Sequence, residues 1–291
     1  MFLIFLKVLI LVLCIILSIA FITLYERHIL GLSQNRLGPN KIFLSGILQA
    51  GLDGIKLMSK EQILPFFSSE IYFIFIPALS FIFMFFEWLV LPYFFFFINF
   101  QFSFLFLMCL VGFSVYFTII SGLLSISKYS FLGAIRSSSQ SVSFEIVFSL
   151  VLFIFMLFLN SLNFLNLMNF SFILLFFIFL ILILTELNRA PFDFSEGESE
   201  LVSGFNTEYS SVSFIFLFLG EYGVLIFFCV FGACMFFNFF YFFIFFFLSL
   251  LIMIRSSFPR YRYDLLMEFF WLKLLPFVIL FMLYFFFIIY K

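Results

Sequence analysis

Charge is what this chain has least of. Asp, Glu, Lys and Arg make up 10% of its 291 residues, against roughly 25% in soluble domains. Hydrophobic residues account for 66%. No water-soluble fold hides that much apolar surface, so lipid is the expected solvent for most of the chain. The net charge of −1 argues against nucleic-acid binding as a main role. Metal-binding side chains are equally sparse. Cys14, Cys109, Cys229 and Cys234 all lie inside apolar runs without CxxC spacing, and the single histidine, His28, is far from them in sequence. Zinc sites and iron–sulfur clusters need several thiolate or imidazole ligands, so no metal site is expected and the cysteines read as free buried thiols. No glycine-rich dinucleotide fingerprint is present. Nor is a cleavable leader expected: the opening MFLIFLKVLILVLCIILSIAFITLYER is too long an apolar run, with no small-residue cleavage site after it. It reads as a first membrane span, and with no Arg/Ser-rich transit peptide before it the chain is expected to be inserted where it is made.

What is abundant is long apolar runs. A helix crossing the hydrocarbon needs about 20 mostly apolar residues. Eight segments qualify, at about 2–25, 70–93, 101–124, 141–160, 170–188, 212–235, 238–256 and 270–290. The expected fold is all-α: a polytopic membrane protein forming a single membrane-embedded domain over 1–291, with about eight transmembrane helices. The connections at 26–69, 125–140, 189–211 and 257–269 are long and polar, and the other three are short and nearly uncharged. With span edges included, the long connections hold every Lys and Arg except Lys7 and Lys291. The positive-inside rule places them in the cytoplasm or its equivalent, the mitochondrial matrix. In the first connection Gln49, Asp53, Lys56 and Lys60 recur at helical spacing, predicting an amphipathic helix at about 44–60 that lies at the interface. That periodicity fits a working polar stripe and a plain surface anchor alike.

The few charges are unevenly placed. Glu87, Glu145, Glu186 and Glu221 fall in or at the ends of expected spans, where a charge at mid-bilayer costs about 2.5–3.5 kcal/mol. Such groups face a protein interior or a hydrated cavity, so Glu145, Glu186 and Glu221 are candidates for a proton path. Bland readings stand beside this one. Glu186 is three residues before Arg189 and can form a local helical ion pair, and Glu145 can sit near the interface. Glu87, close to a span end, reads as a snorkelling or subunit-contact residue. The densest cluster is TELNRAPFDFSEGESELVSGFNTEY (185–209). Glu186, Asp193, Glu196, Glu198, Glu200 and Glu208 are opposed there only by Arg189. Phe192, Phe194, Leu201, Val202 and Phe205 are interleaved with them, so the acidic loop 189–211 is expected to be packed. Crowded carboxylates titrate as a coupled set. A proton relay and a docking site for a basic partner both fit.

The blocks ERHILGLSQNRLGPN (26–40), GLDGIKLMSKE (51–61), GAIRSSSQSVSFE (133–145), 186–209, GEY (220–222) and RSSFPRYRYDLLMEFFW (255–271) resemble the subunit-1 family of the proton-pumping NADH:ubiquinone oxidoreductase, respiratory complex I, in its mitochondrially encoded form. The resemblance implies an eight-helix subunit of the mitochondrial inner membrane, its long loops facing the matrix, at the junction of the membrane and hydrophilic arms. It implies ubiquinone as substrate, entering a chamber from the bilayer. FMN and iron–sulfur clusters would reside in partner subunits, and small membrane subunits would lead on to antiporter-like ones. By the same resemblance, Glu26, Arg27 and Arg36 belong near the chamber's membrane entrance, and Asp53 and Lys56 line it. Arg136, Arg260 and Arg262 contribute to its walls and to docking of the hydrophilic arm. Asp193, Glu196, Glu198 and Glu200 form the acidic loop beside it, and Glu145, Glu186 and Glu221 begin a buried charged axis. His28 and Leu37 depart from the pattern by standing where it has Lys, and Glu87 has no counterpart in it. Two other classes remain open on the residues alone: a stand-alone proton or ion transporter using the intramembrane glutamates, for which no inverted repeat is visible, and a scaffold whose acidic loop docks a partner.

Overall fold

The computed structural model describes residues 2–66, 68–93, 101–159, 162–164, 173–193, 204–237 and 241–289. Helix α1 (Phe2–Ser33) leads through a 3-10 turn at Leu44–Gly46 to the short α2 (Gln49–Ser59). Then come α3 (Glu70–Val90), α4 (Ser103–Leu124), α5 (Lys128–Leu159) and α6 (Ile173–Glu186). After a 3-10 turn at Gly204–Asn206 follow α7 (Ser211–Phe237) and α8 (Tyr241–Ser257). Helix α9 (Tyr263–Glu268) runs through a π-helical stretch (Phe269–Leu274) into α10 (Leu275–Ile289). Among the described residues, six helical stretches are long and apolar enough to cross a membrane: α1, α3, α4, α5, α7 and the continuous Tyr263–Phe287; α6 and α8 are shorter apolar helices. The protein is an all-α polytopic membrane protein.

Helix α1 shows how an evenly apolar helix finds its inner face. Ile15, Ile19, Ile22 and Glu26 are buried, at spacings that define one stripe. Leu13, Leu17 and Phe21 point outward. Helices α5 and α7 carry the largest shares of the core. Phe148 is the hinge of an aromatic network, meeting Phe228 edge-on at 5.9 Å and stacking on Phe179 at 6.4 Å. Lipid offers no hydrophobic drive for helices to associate, so close packing over small residues does that work. A Cβ on Gly122 of α4 would lie 2.2 Å from the Ala134 Cβ of α5, and one on Gly133 of α5 would lie 3.0 Å from the Gly204 Cα. The second contact seats the far end of the acidic loop on α5.

Two elements begin earlier than hydropathy suggests. Helix α5 starts at Lys128, so the polar block 133–145 is helical and not a connection. Its Ser130, Ser137, Gln140 and Ser143 are buried against neighbours, and a helix whose polar face is covered by protein needs no apolar run to continue. The final helix begins at Tyr263, with Asp264 in its first turn, where an acidic residue favours the positive end of the helix dipole.

Candidate functional site

The bundle encloses a cavity of about 340 Å3 between α3, α4, α5, α7 and the turn after α6, with the end of α8 at its edge. Among the described residues, four carboxylates line it: Glu87, Glu186, Asp193 and Glu221. Arg189, Arg255 and the Tyr222 phenol line it as well. Hydroxyls complete the polar lining. Ser114 donates to the Val111 carbonyl at 2.7 Å, Thr118 to Val115 at 2.8 Å, Ser137 to Ala134 at 3.0 Å and Ser141 to Ser138 at 2.9 Å. Each of these hydroxyls is also bonded within its own helix. The space is thus acidic and hydroxyl-lined, inside a structure whose outer solvent is lipid.

Beside the cavity lies a fixed ion cluster. Glu26, 5% exposed, accepts from Arg189 at 2.9 Å and from Arg255 through Oε1, and from the Tyr222 hydroxyl at 2.8 Å through Oε2. The Arg189 guanidinium lies 4.1 Å from the Tyr222 ring centre, a cation–π contact. Burial works against the Arg189 cation, but Tyr222 and Glu26 outweigh it and hold its pKa above the ordinary arginine range. Two guanidiniums against one carboxylate leave a permanent positive charge facing the cavity acids. The local pairing of Glu186 with Arg189 read from their spacing gives way to this arrangement, because Arg189 turns toward α1 instead.

Of the expected axis, Glu186 and Glu221 meet in the cavity. Glu145 lies behind its wall on α5, pressed so closely on α4 that a Cβ on Gly112 would sit 2.6 Å from its Oε1. Asp193 reaches the cavity and stands 3.7 Å from Arg260. Glu196, Glu198 and Glu200 lie outside the described residues. Arg27 turns away from the Glu26 cluster to α2, 3.2 Å from Asp53, with both side chains half exposed. Arg36, Lys56 and Arg262 are exposed, and Arg136 is partly buried on α5.

Glu87 requires correction. It is 3% exposed and lines the cavity, and its Oε2 has no hydrogen-bond partner among the described residues. It does not snorkel. Its helix end is covered: Trp88 Nε1 donates to the Gly223 carbonyl at 3.3 Å, and the Tyr93 hydroxyl donates to the Trp88 carbonyl at 2.9 Å, so the last turn of α3 is held against α7 and away from water. Arg255 and Tyr222 were also not expected here. Position 26 on the Ile15–Ile19–Ile22 stripe was a readable sign that an acid faces inward and needs such partners.

The NADH dehydrogenase family profile matches residues 6–286. The chain is 41% identical over 282 residues to NADH-ubiquinone oxidoreductase chain 1 of Anopheles quadrimaculatus, covering 92% of this chain and 90% of that protein. It is 40% identical over 283 residues to the protein of that name from Hyaloraphidium curvatum, covering 94% of each. With that of Locusta migratoria the identity is 39% over 299 residues, covering 98% of this chain and 95% of the relative. The matches span nearly the whole chain, which therefore belongs to the NADH dehydrogenase family, alongside chain 1 of NADH-ubiquinone oxidoreductase.

Proposed function

We propose that this chain is the mitochondrial inner-membrane subunit of an NADH–ubiquinone oxidoreductase that forms much of the quinone's access chamber and couples quinone reduction to proton translocation. The relatives' name supports the overall reaction. The observation that carries the coupling role is the cavity: four carboxylates share one hydroxyl-lined space within a lipid-solvated bundle, against a permanently cationic wall. Reducing a quinone to a quinol takes up two electrons and two protons. Electrons arrive from FMN and iron–sulfur clusters in partner subunits. This chain's part is to admit the quinone and to answer the charge change. Acids crowded in one space cannot all ionise cheaply, so they titrate together and respond to any new charge nearby.

The face shared by α1 and α2 suits quinone entry. Leu52, Ile55 and Met58 of α2 are exposed apolar groups, fit for an isoprenoid tail, and the Arg27–Asp53 pair beside them offers hydrogen bonds to a polar head. The acidic loop, from Asp193 through Glu196, Glu198 and Glu200, links that chemistry to Glu186 and Glu221, and Glu145 continues the axis. Arg36, Lys56, Arg136, Arg260 and Arg262 serve the chamber walls and arm docking.

The test is replacement in the assembled complex. Glu186→Gln, and separately the combined Glu196→Gln, Glu198→Gln and Glu200→Gln, are expected to lower NADH:ubiquinone reductase activity and proton translocation together by about tenfold or more. NADH oxidation by a water-soluble artificial acceptor stays at the parent rate. Parent-level quinone turnover and pumping in both variants would refute the coupling role.

A further inference from the structure

Glu87 is the one cavity carboxylate to which the function proposed above gives no task. The arrangement around it is specific. Helices α3 and α7 run side by side in the same direction: Phe73 stacks on Tyr209 at 4.3 Å, Phe81 meets Phe216 at 5.6 Å, and Trp88 meets Phe227 at 6.3 Å. That register places Glu87 about one helical turn beyond Glu221, further from the loop-side face. Asp193, paired with Arg260, stands at the other end of the same cavity, on the loop side. Glu87 therefore extends the acid set inward. A carboxylate that served only to hold helices together would spend both oxygens on donors, as Glu26 does. Glu87 Oε2 has no hydrogen-bond partner among the described residues, although the side chain is buried and borders the cavity.

We propose that Glu87 exchanges protons with Glu186 across the cavity and so forms the inner end of its proton-carrying set. This inference rests on the function proposed above. The step is a proton transfer alone: an O–H bond breaks at one carboxyl as another forms at its partner, and no electrons change hands. Glu87 and Glu186 both line this cavity. The other titratable or charged groups bordering the space are Arg189 and Asp193 after α6, Glu221 and Tyr222 on α7, and Arg255 on α8. Helices α4 and α5 add hydroxyls and the apolar Val115 and Phe117 but no titratable group to the lining, and Glu145 of α5 packs against Gly112 of α4.

The experiment uses the assembled complex with Glu87→Gln, Glu87→Asp and, in parallel, Glu186→Gln. Its readouts are the pH profile of ubiquinone reduction and the protons translocated per NADH oxidised. Glu87→Gln preserves shape, so artificial-acceptor activity should remain within twofold of the parent, while the proton ratio falls and the pH profile moves. Glu87→Asp, which keeps an exchangeable proton, should restore both in part. An unchanged ratio and profile in Glu87→Gln overturns the proposal, and so does a defect that Asp does not relieve, since that marks a packing fault. Should the Gln variant fail to assemble, the parent complex is treated with a hydrophobic carbodiimide, which reacts with protonated carboxyls. Modification at Glu87 that fades as pH rises supports proton exchange, and no modification at any pH overturns it. A defective Glu186→Gln beside a normal Glu87→Gln sinks this inference alone, whereas the coupling role falls as well only if Glu186→Gln and the combined loop variant are also normal.

Discussion

At the scale of single residues, the Glu26 cluster makes the sharpest demand. One carboxylate keeps two guanidiniums from facing each other without an anion. Removing one partner of a buried pair costs 3–5 kcal/mol because the remaining charge stays desolvated. Arg255 is 40% exposed and can swing toward water, whereas Arg189 is 17% exposed and stacked on Tyr222. Glu26→Gln is therefore expected at the low end, about 3 kcal/mol of lost stability, visible as earlier thermal release of this subunit from the purified complex. Arg255→Met removes the more exposed cation and should cost no more than about 1 kcal/mol. A Glu26→Gln complex as heat-stable as the parent would contradict the assigned charge balance. This cluster was half legible in the sequence. The stripe Ile15–Ile19–Ile22 points position 26 inward, but nothing in the order of residues says that Arg189 and Arg255, far along the chain, converge on it. Glu87 was misread for a related reason: distance from a helix end in sequence does not reveal whether water or a neighbouring helix covers that end.

At the scale of elements, glycines decide how close two helices come, and two of them separate stability from activity. The nearest neighbours of a Cβ on Gly122 are the Ala134 Cβ at 2.2 Å and the Ser130 carbonyl oxygen at 3.1 Å. Neither can yield without moving a helix, so Gly122→Ala should push α4 from α5 and cost about 1–3 kcal/mol by overpacking. On Gly223 the obstacle is the Met84 thioether, with Sδ at 2.6 Å. Methionine is flexible enough to turn aside, and Met84 borders the cavity that holds Glu87 and Glu221. Gly223→Ala should therefore leave the melting temperature nearly unchanged while slowing ubiquinone reduction several-fold. Thermal melts and reductase assays on the two variants test this crossing pattern, and equal losses of stability would contradict it. Hydropathy made the apolar helices legible, since a lipid-solvated helix must be apolar over its exposed faces. It could not show that α5 reaches back to Lys128, because Ser137, Gln140 and Ser143 are covered by protein and need not be apolar.

At the scale of the whole molecule, the long connections are tied together on one face. Ile63 N–H donates to Ser210 Oγ at 2.9 Å, Tyr261 N–H donates to the Pro191 carbonyl at 3.0 Å, and the Ser127 and Thr207 hydroxyls meet at 3.4 Å. Each of the four long connections thus touches at least one other, with the acidic loop as the common member. Together with the helix ends beside them they hold all the chain's Lys and Arg except Lys7 and Lys291. In the proposed orientation that cationic face lies toward the matrix, as the positive-inside rule expects. Helix α1 runs toward that face and α10 runs away from it, so on this proposal the outer ends of both helices point to the intermembrane side. An epitope fused after Lys291 should be cleaved by protease added to mitoplasts and protected in inside-out inner-membrane vesicles. An antibody to 189–211 should bind only once those vesicles are stripped of the hydrophilic arm. The reverse protection pattern would turn the cavity mouth, with Asp193 and Arg260, toward the intermembrane space. Protons would then enter the carboxylate set from the side on which quinone-linked uptake does not occur, and the coupling role would fail with the orientation.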